Sequence, residues 1–105
     1  MSDVNFQDIS TVASDKNPQP VTVASAATVA PTTFLTFITG VVAIATVTPP
    51  VTGAHLLCFV FTTTTPVAFT TTGNIKIVTT PTQNIPMFLV YNPIEAKYYT
   101  GEVTV

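Results

Sequence analysis

Residues 34–61 read FLTFITGVVAIATVTPPVTGAHLLCFVF. Two apolar, β-branched runs are punctuated here by Gly40, Pro49, Pro50 and Gly53. Branching at Cβ suits a pleated, half-buried surface, so both runs read as strands rather than helices. Gly40 predicts a tight hairpin or a bulge between residues 34–39 and 41–48. In the second run Val42 and Ile44 share one face, and Val41, Ala43, Ala45 and Val47 the other. The two prolines end it. Residues 55–62 form the most apolar strand, with His55, Leu57, Phe59 and Phe61 on one side and Leu56, Cys58 and Val60 on the other. Apolar side chains on both faces predict a central strand covered twice, the second cover coming from the domain or from a partner chain.

Strand signals continue in both directions. Residues 21–23, 28–30, 67–69, 75–79, 87–91, 96–100 and 102–105 are short β-prone runs separated by Pro, Gly or Asn. The Thr72-Gly73-Asn74 and Asn92-Pro93 segments read as turns. Such spacing predicts an all-β domain over residues 21–105, a small antiparallel β-sandwich or barrel. Residues 1–20 differ in texture. They hold all three aspartates and two late prolines, and Val4, Phe6, Ile9 and Val12 are, after Met1, their only large apolar side chains. This segment reads as an extended N-terminal arm that clasps a neighbour or simply frays.

Composition adds an argument about surface. Charged residues make up 8% of the 105-residue chain, where about 25% is usual. Threonine supplies roughly a fifth of the residues, and there is no arginine. A monomer of this mass exposes about 5,700 Å². From residue 21 onward only Lys76, Glu95, Lys97 and Glu102 bring charge to that area. A body so poor in charge is relieved by identical neighbours that cover part of it, or it is clothed in threonine hydroxyls.

The formal net charge of -2 argues against a nucleic-acid partner. No basic, then apolar, leader is present, and the apolar run of residues 34–47 is too short to span a bilayer, so no membrane role is expected and a cytoplasmic site of synthesis is. A single cysteine excludes an intrachain disulfide. Cys58 lies three residues from His55, the only histidine, so on a strand the two face opposite sides and form neither a metal pair nor a nucleophile and base. Glu95 and Glu102 are the only acids after residue 20, and no phosphate-binding glycine loop occurs. The chain is expected to be no enzyme and to need no cofactor or metal. Thr-x-Thr runs at residues 46–48, 62–64, 70–72 and 80–82 raise an ice-binding or surface-coat role, but their spacing is irregular. Tyr91, Tyr98 and Tyr99 are read as capping the open end of a small barrel, hydroxyls in water, or as rimming a contact site.

Three segments carry a family resemblance: ATVAPTTFLTFITGVVAIATVTPP, then FTTTGNIKI, then TPTQN with FLVYNPIEAKYY. Together they resemble small β-rich structural proteins of tailed bacteriophages, namely capsid decoration (cement) proteins and head- or tail-fibre modules. The likeness is one of texture and spans residues 21–99. It implies a homotrimer on the outer capsid surface of the virion, bridging copies of the major capsid protein, with an arm that reaches along the shell. A receptor-binding or structural fibre module is the alternative it leaves open. On that reading Phe34, Phe37, Leu57, Phe59 and Phe61 are candidates for self-association. Val4, Phe6, Ile9 and Val12 are candidates for contact with the capsid.

Overall fold

Seven strands, and no helix, form among the residues that the computed structural model describes, 19–50 and 55–102. They are β1 (Val21–Ala24), β2 (Thr28–Val29), β3 (Leu35–Thr39), β4 (Thr46–Val47), β5 (Leu56–Phe61), β6 (Met87–Asn92) and β7 (Lys97–Glu102). A five-stranded sheet has the order β1-β3-β5-β6-β7, and β2 and β4 pair separately. The all-β expectation holds. The antiparallel one does not: β1, β3 and β5 run parallel, whereas β5, β6 and β7 alternate. The sheet is open, with β1 and β7 at its edges, and so is not a barrel.

The parallel half is made of arches rather than hairpins. Parallel neighbours need a long crossover, which most proteins supply with a helix. Here the crossover is a second layer. From β1 the chain passes into β2 and returns as β3; from β3 it passes into β4 and returns as β5. The two excursions travel side by side, so β2 and β4 also pair parallel, with Val29 opposite Val47. A third excursion after β5 brings Thr70 N–H onto the Ile44 carbonyl at 2.9 Å.

Gly40 therefore does not turn a hairpin. At φ +86° it directs the chain out of β3 and across to the second layer, and a Cβ there would stand 2.9 Å from Ser25 Oγ. Ser25 holds the two crossings together: its N–H donates to the Thr39 carbonyl at 2.7 Å, and its hydroxyl accepts from Val42 N–H at 2.9 Å. Consequently residues 41–45 leave the ladder, Val41 and Val42 are exposed, and only Thr46–Val47 of the expected strand forms. Residues 67–69 and 75–79 are likewise irregular, apart from one bridge between Ile75 and Tyr98.

The β6–β7 hairpin of the antiparallel half follows local rules. β6 and β7 form a hairpin through Pro93–Ala96, with Ala96 at φ 57° closing the turn. The Asn92 side chain accepts from Ile94 N–H at 3.0 Å, the Asx geometry that favours asparagine before a turn. β7 continues through Gly101, where a break was expected. Its free edge is blunted by residues 74–79: Tyr98 N–H donates to the Asn74 carbonyl and Lys76 N–H to the Tyr98 carbonyl. Among the described residues, that leaves β1 as the bare edge of the sheet.

Both halves share one core between the large sheet and the second layer. Ile38, Leu57, Phe59, Phe61, Met87, Leu89 and Tyr98 descend from the sheet; Val29, Ile44, Val47, Phe69 and Ile75 rise to meet them. Phe61 packs edge-on against both Phe59 and Phe69, the arrangement that places positive ring edges on negative faces.

Candidate interaction surface

Side chains alternate across a strand, so every residue pointing into this core has a neighbour pointing away. On the large sheet those outward residues line up in apolar rows. Register places Phe37 beside Val60; Leu35 beside Cys58 and Phe88; and Leu56 beside Val90 and Tyr99. No described residue forms a layer over them. Leu56 is 45% exposed, Phe88 36% and Val90 49%. Leu35, Phe37, Val60 and Tyr99 are half-buried. Opposite Phe88 the row ends at Gly101, which has open space where a side chain would stand. β5 is central, yet it is covered once among the described residues.

The self-association candidates divide by this alternation. Leu57, Phe59 and Phe61 are at most 2% exposed and pack in the core of their own chain. Phe37 lies on the open face, and Phe34 is 36% exposed just before β3. Leu56, Phe88 and Val90 were missed. The alternating positions of strands 55–62 and 87–91 contained the signal, but aromatic content drew attention to the opposite face. Val4, Phe6, Ile9 and Val12 lie outside the described residues.

Cys58 is buried, as expected of a small apolar residue, but it sits on the open face, where Leu35 and Phe88 flank it. Burial pushes its thiol above the ordinary range, only partly offset by the Met87 backbone. His55 is exposed at the start of β5, beside Tyr91 at 6.1 Å between ring centres. The tyrosines do not act as one rim. Tyr98 is wholly buried, its ring 4.8 Å from that of Tyr91, and its hydroxyl has no partner among the described residues. Burial, then the nearby Tyr91, pushes Tyr98 up to about 12.

Tyr99 belongs to an exposed polar brace behind the β6–β7 turn. Its hydroxyl donates to Glu95 Oε1, which also accepts from Asn92 Nδ2 at 3.1 Å, while Lys76 Nζ binds Glu95 Oε2 at 3.0 Å. Hydrogen bonds from Tyr99, then Lys76, hold the Glu95 carboxyl below its ordinary range. The brace fixes a turn at whose tip Ile94 is 94% exposed.

A different polar device joins the two layers. The Asn74 side chain accepts from Val47 N–H at 2.8 Å and donates to the Val47 carbonyl at 2.7 Å. One amide thus acts as a strand partner for β4. Gly73 beside it admits no side chain, since a Cβ would stand 2.2 Å from the Ala45 carbonyl oxygen.

Among the described residues no three His, Cys, Asp or Glu side chains gather as a metal site would require. No helix of the described residues is long and apolar enough to cross a membrane. Of the Thr-x-Thr runs, only residues 46–47 lie in a strand, so the runs form no ranked threonine surface there. No protein-family model matches the chain. No curated protein and no solved structure matches it either.

Proposed function

We propose that the chain is a non-catalytic structural protein of a tailed-bacteriophage virion, a decoration protein that binds the outer capsid as a homotrimer and reinforces contacts between copies of the major capsid protein. The observation that carries this reading is the apolar face over β3, β5 and β6, uncovered among the described residues, on a body with only four charged side chains after residue 20. Contiguous apolar surface of this kind is a site of association. Its work is mechanical: each added interface ties neighbouring shell subunits and opposes the outward pressure of a packed genome.

A fibre module is the second reading, and the Ile94 turn favours it. An apolar tip on a braced hairpin suits a contact made at the end of a projecting structure. Cosedimentation with undecorated capsid shells separates the two. The decoration protein saturates shells in multiples of three chains per site and ignores host cells. Binding to cells but not to shells, lost on Ile94→Asp, overturns the capsid role in favour of the fibre.

A further inference from the structure

The geometry points to residues 76–82 as an acid-released guard over the outer edge of β7, latched at its two ends by Glu95 and Glu102. The device lies within one chain and works whatever that chain assembles with.

An open sheet edge invites pairing with a foreign strand, and proteins manage such edges by covering them. On β7 the outward backbone groups belong to Tyr98, Thr100 and Glu102, because Tyr98 is bonded on that side and the ladder alternates. The cover is uneven along that edge. At Tyr98 it is backbone to backbone: Tyr98 N–H donates to the Asn74 carbonyl at 2.7 Å, and Lys76 N–H to the Tyr98 carbonyl at 2.8 Å. Beyond Lys76, side chains take over. Thr100 Oγ1 donates to the Ile77 carbonyl at 3.1 Å, and the hydroxyls of Thr79 and Thr100 meet at 2.8 Å. Of residues 75–82 only Ile75 and Pro81 are buried; Lys76, Ile77, Val78 and Thr80 are exposed. The span between those two anchors therefore rests on polar contacts.

Both ends of the guard are held by carboxylates. Lys76 Nζ binds Glu95 Oε2 at 3.0 Å. At the far end Glu102 holds Thr82 with both oxygens, Oε2 accepting from the backbone N–H and Oε1 from the hydroxyl at 3.0 Å. Glu95 and Glu102 are the only acids after residue 20, so both carboxylates of the body engage this one segment. Hydrogen bonds to an ionised acceptor are roughly twice as strong as neutral ones. Protonation thus weakens both latches together.

The neighbours of each acid leave nothing to replace it. Glu95 faces Lys76 from the guard, Tyr99 from β7 and Asn92 from β6. Glu102 faces Thr82 and, across the ladder, Met87. None of these groups is an anion at acid pH. Hydrogen bonds from Tyr99, then Lys76, hold the Glu95 carboxyl below its ordinary range, so its latch is intact at neutral pH and fails as pH falls below about 4.5. Two contacts near the start of the guard involve no carboxylate: Lys97 Nζ binds the Gly73 carbonyl at 3.0 Å, and Asn74 stays clamped to Val47. Opening is accordingly a hinged movement about residues 73–75, and it bares the backbone of Thr100 and Glu102.

The test follows amide protection in the full chain at pH 6 and pH 3, corrected for the intrinsic exchange rate. Two reporters do not bond the carboxylates themselves: the amide of residue 76, and the Phe69 amide, which donates to the Thr79 carbonyl at 3.1 Å. Both are expected to lose protection roughly tenfold at pH 3, while β3 and β5 keep theirs. Lys76→Met with Glu102→Ala removes both latches and leaves Tyr99 and Asn92 on Glu95. That variant is expected to show the same loss already at pH 6, with little further change at pH 3. Lys76→Met alone, at an exposed position, loosens residue 76 at pH 6 and serves if the double variant aggregates. Reporters unchanged in the wild type at pH 3, or in the variants at pH 6, overturn the guard. An equal loss in β3 and β5 overturns it too, since the carboxylates would then hold the whole fold and not its edge.

Discussion

The two halves of the large sheet obey different rules. β6 meets β7 through a local turn, and the register is written into a few residues around it: Asn92, Pro93 and Ala96; β5 reaches β6 only after the excursion of residues 62–86. From β1 to β5 no strand pairs with the element that follows it in sequence; β1 waits for β3, and β3 for β5, while the chain detours through the second layer. Closing such arches is governed by packing around Ile38, Phe59 and Phe61 and by isolated polar clamps, Ser25 at Gly40 and Asn74 at Val47. The β6–β7 hairpin is built locally and braced at its tip; the rest of the sheet exists only once its core has formed.

The largest effect is expected where the halves meet. Phe59 on β5 is wholly buried, between Thr36 of the parallel half and Met87 of the antiparallel half. Phe59→Asp places a carboxylate in that core without a partner and costs more than about 4 kcal/mol, enough to abolish the fold. The check is a loss of cooperative unfolding and of dispersed amide resonances. Retention of either half's resonances would show that the halves fold separately.

A smaller effect sharpens the contrast. Asn74→Ala removes both hydrogen bonds to Val47 and leaves a part-buried N–H and carbonyl unsatisfied. The expected loss is about 2–3 kcal/mol, read as a lower urea midpoint. Amide exchange should accelerate first in β2 and β4 and leave the β6–β7 hairpin protected. Equal acceleration in both would erase the distinction between them.

The smallest effect acts on the hairpin alone. The Glu95 carboxyl is depressed in the folded chain, chiefly by Tyr99 and then Lys76. A depressed carboxyl contributes stability above its unfolded value, and that contribution fades as pH falls through the folded one. Below the ordinary glutamate range, near 4.5, protection at residues 92–97 should therefore decline while the arches stay unchanged. Glu95→Gln should remove the dependence, which amide protection factors between pH 6 and pH 3 would reveal.

The same contrast explains what the sequence disclosed. The extent of β5, the Asn92-Pro93 turn and the all-β class were legible because alternation and turn chemistry are local properties. Parallel pairing was not, since nothing near β1 names β3 as its partner. Gly40 looked like a hairpin glycine because only the distant Ser25 reveals that it redirects the chain between layers. The inequality of the arches hid their stacking: partners Val21, Thr36 and Phe59 are separated by 15 and then 23 residues (36-21, 59-36). On the open face, Phe37 was legible, whereas Leu57, Phe59 and Phe61 point into the core. Either face of β5 could have been the inner one, and only the second layer, built from β2, β4 and residues 69–75, decides.

Sedimentation equilibrium of the full chain at micromolar concentration tests the central claim, that this sheet is built to be covered by its siblings. A mass of three times 11.1 kDa is the expected result; a stable single chain across that range would contradict it.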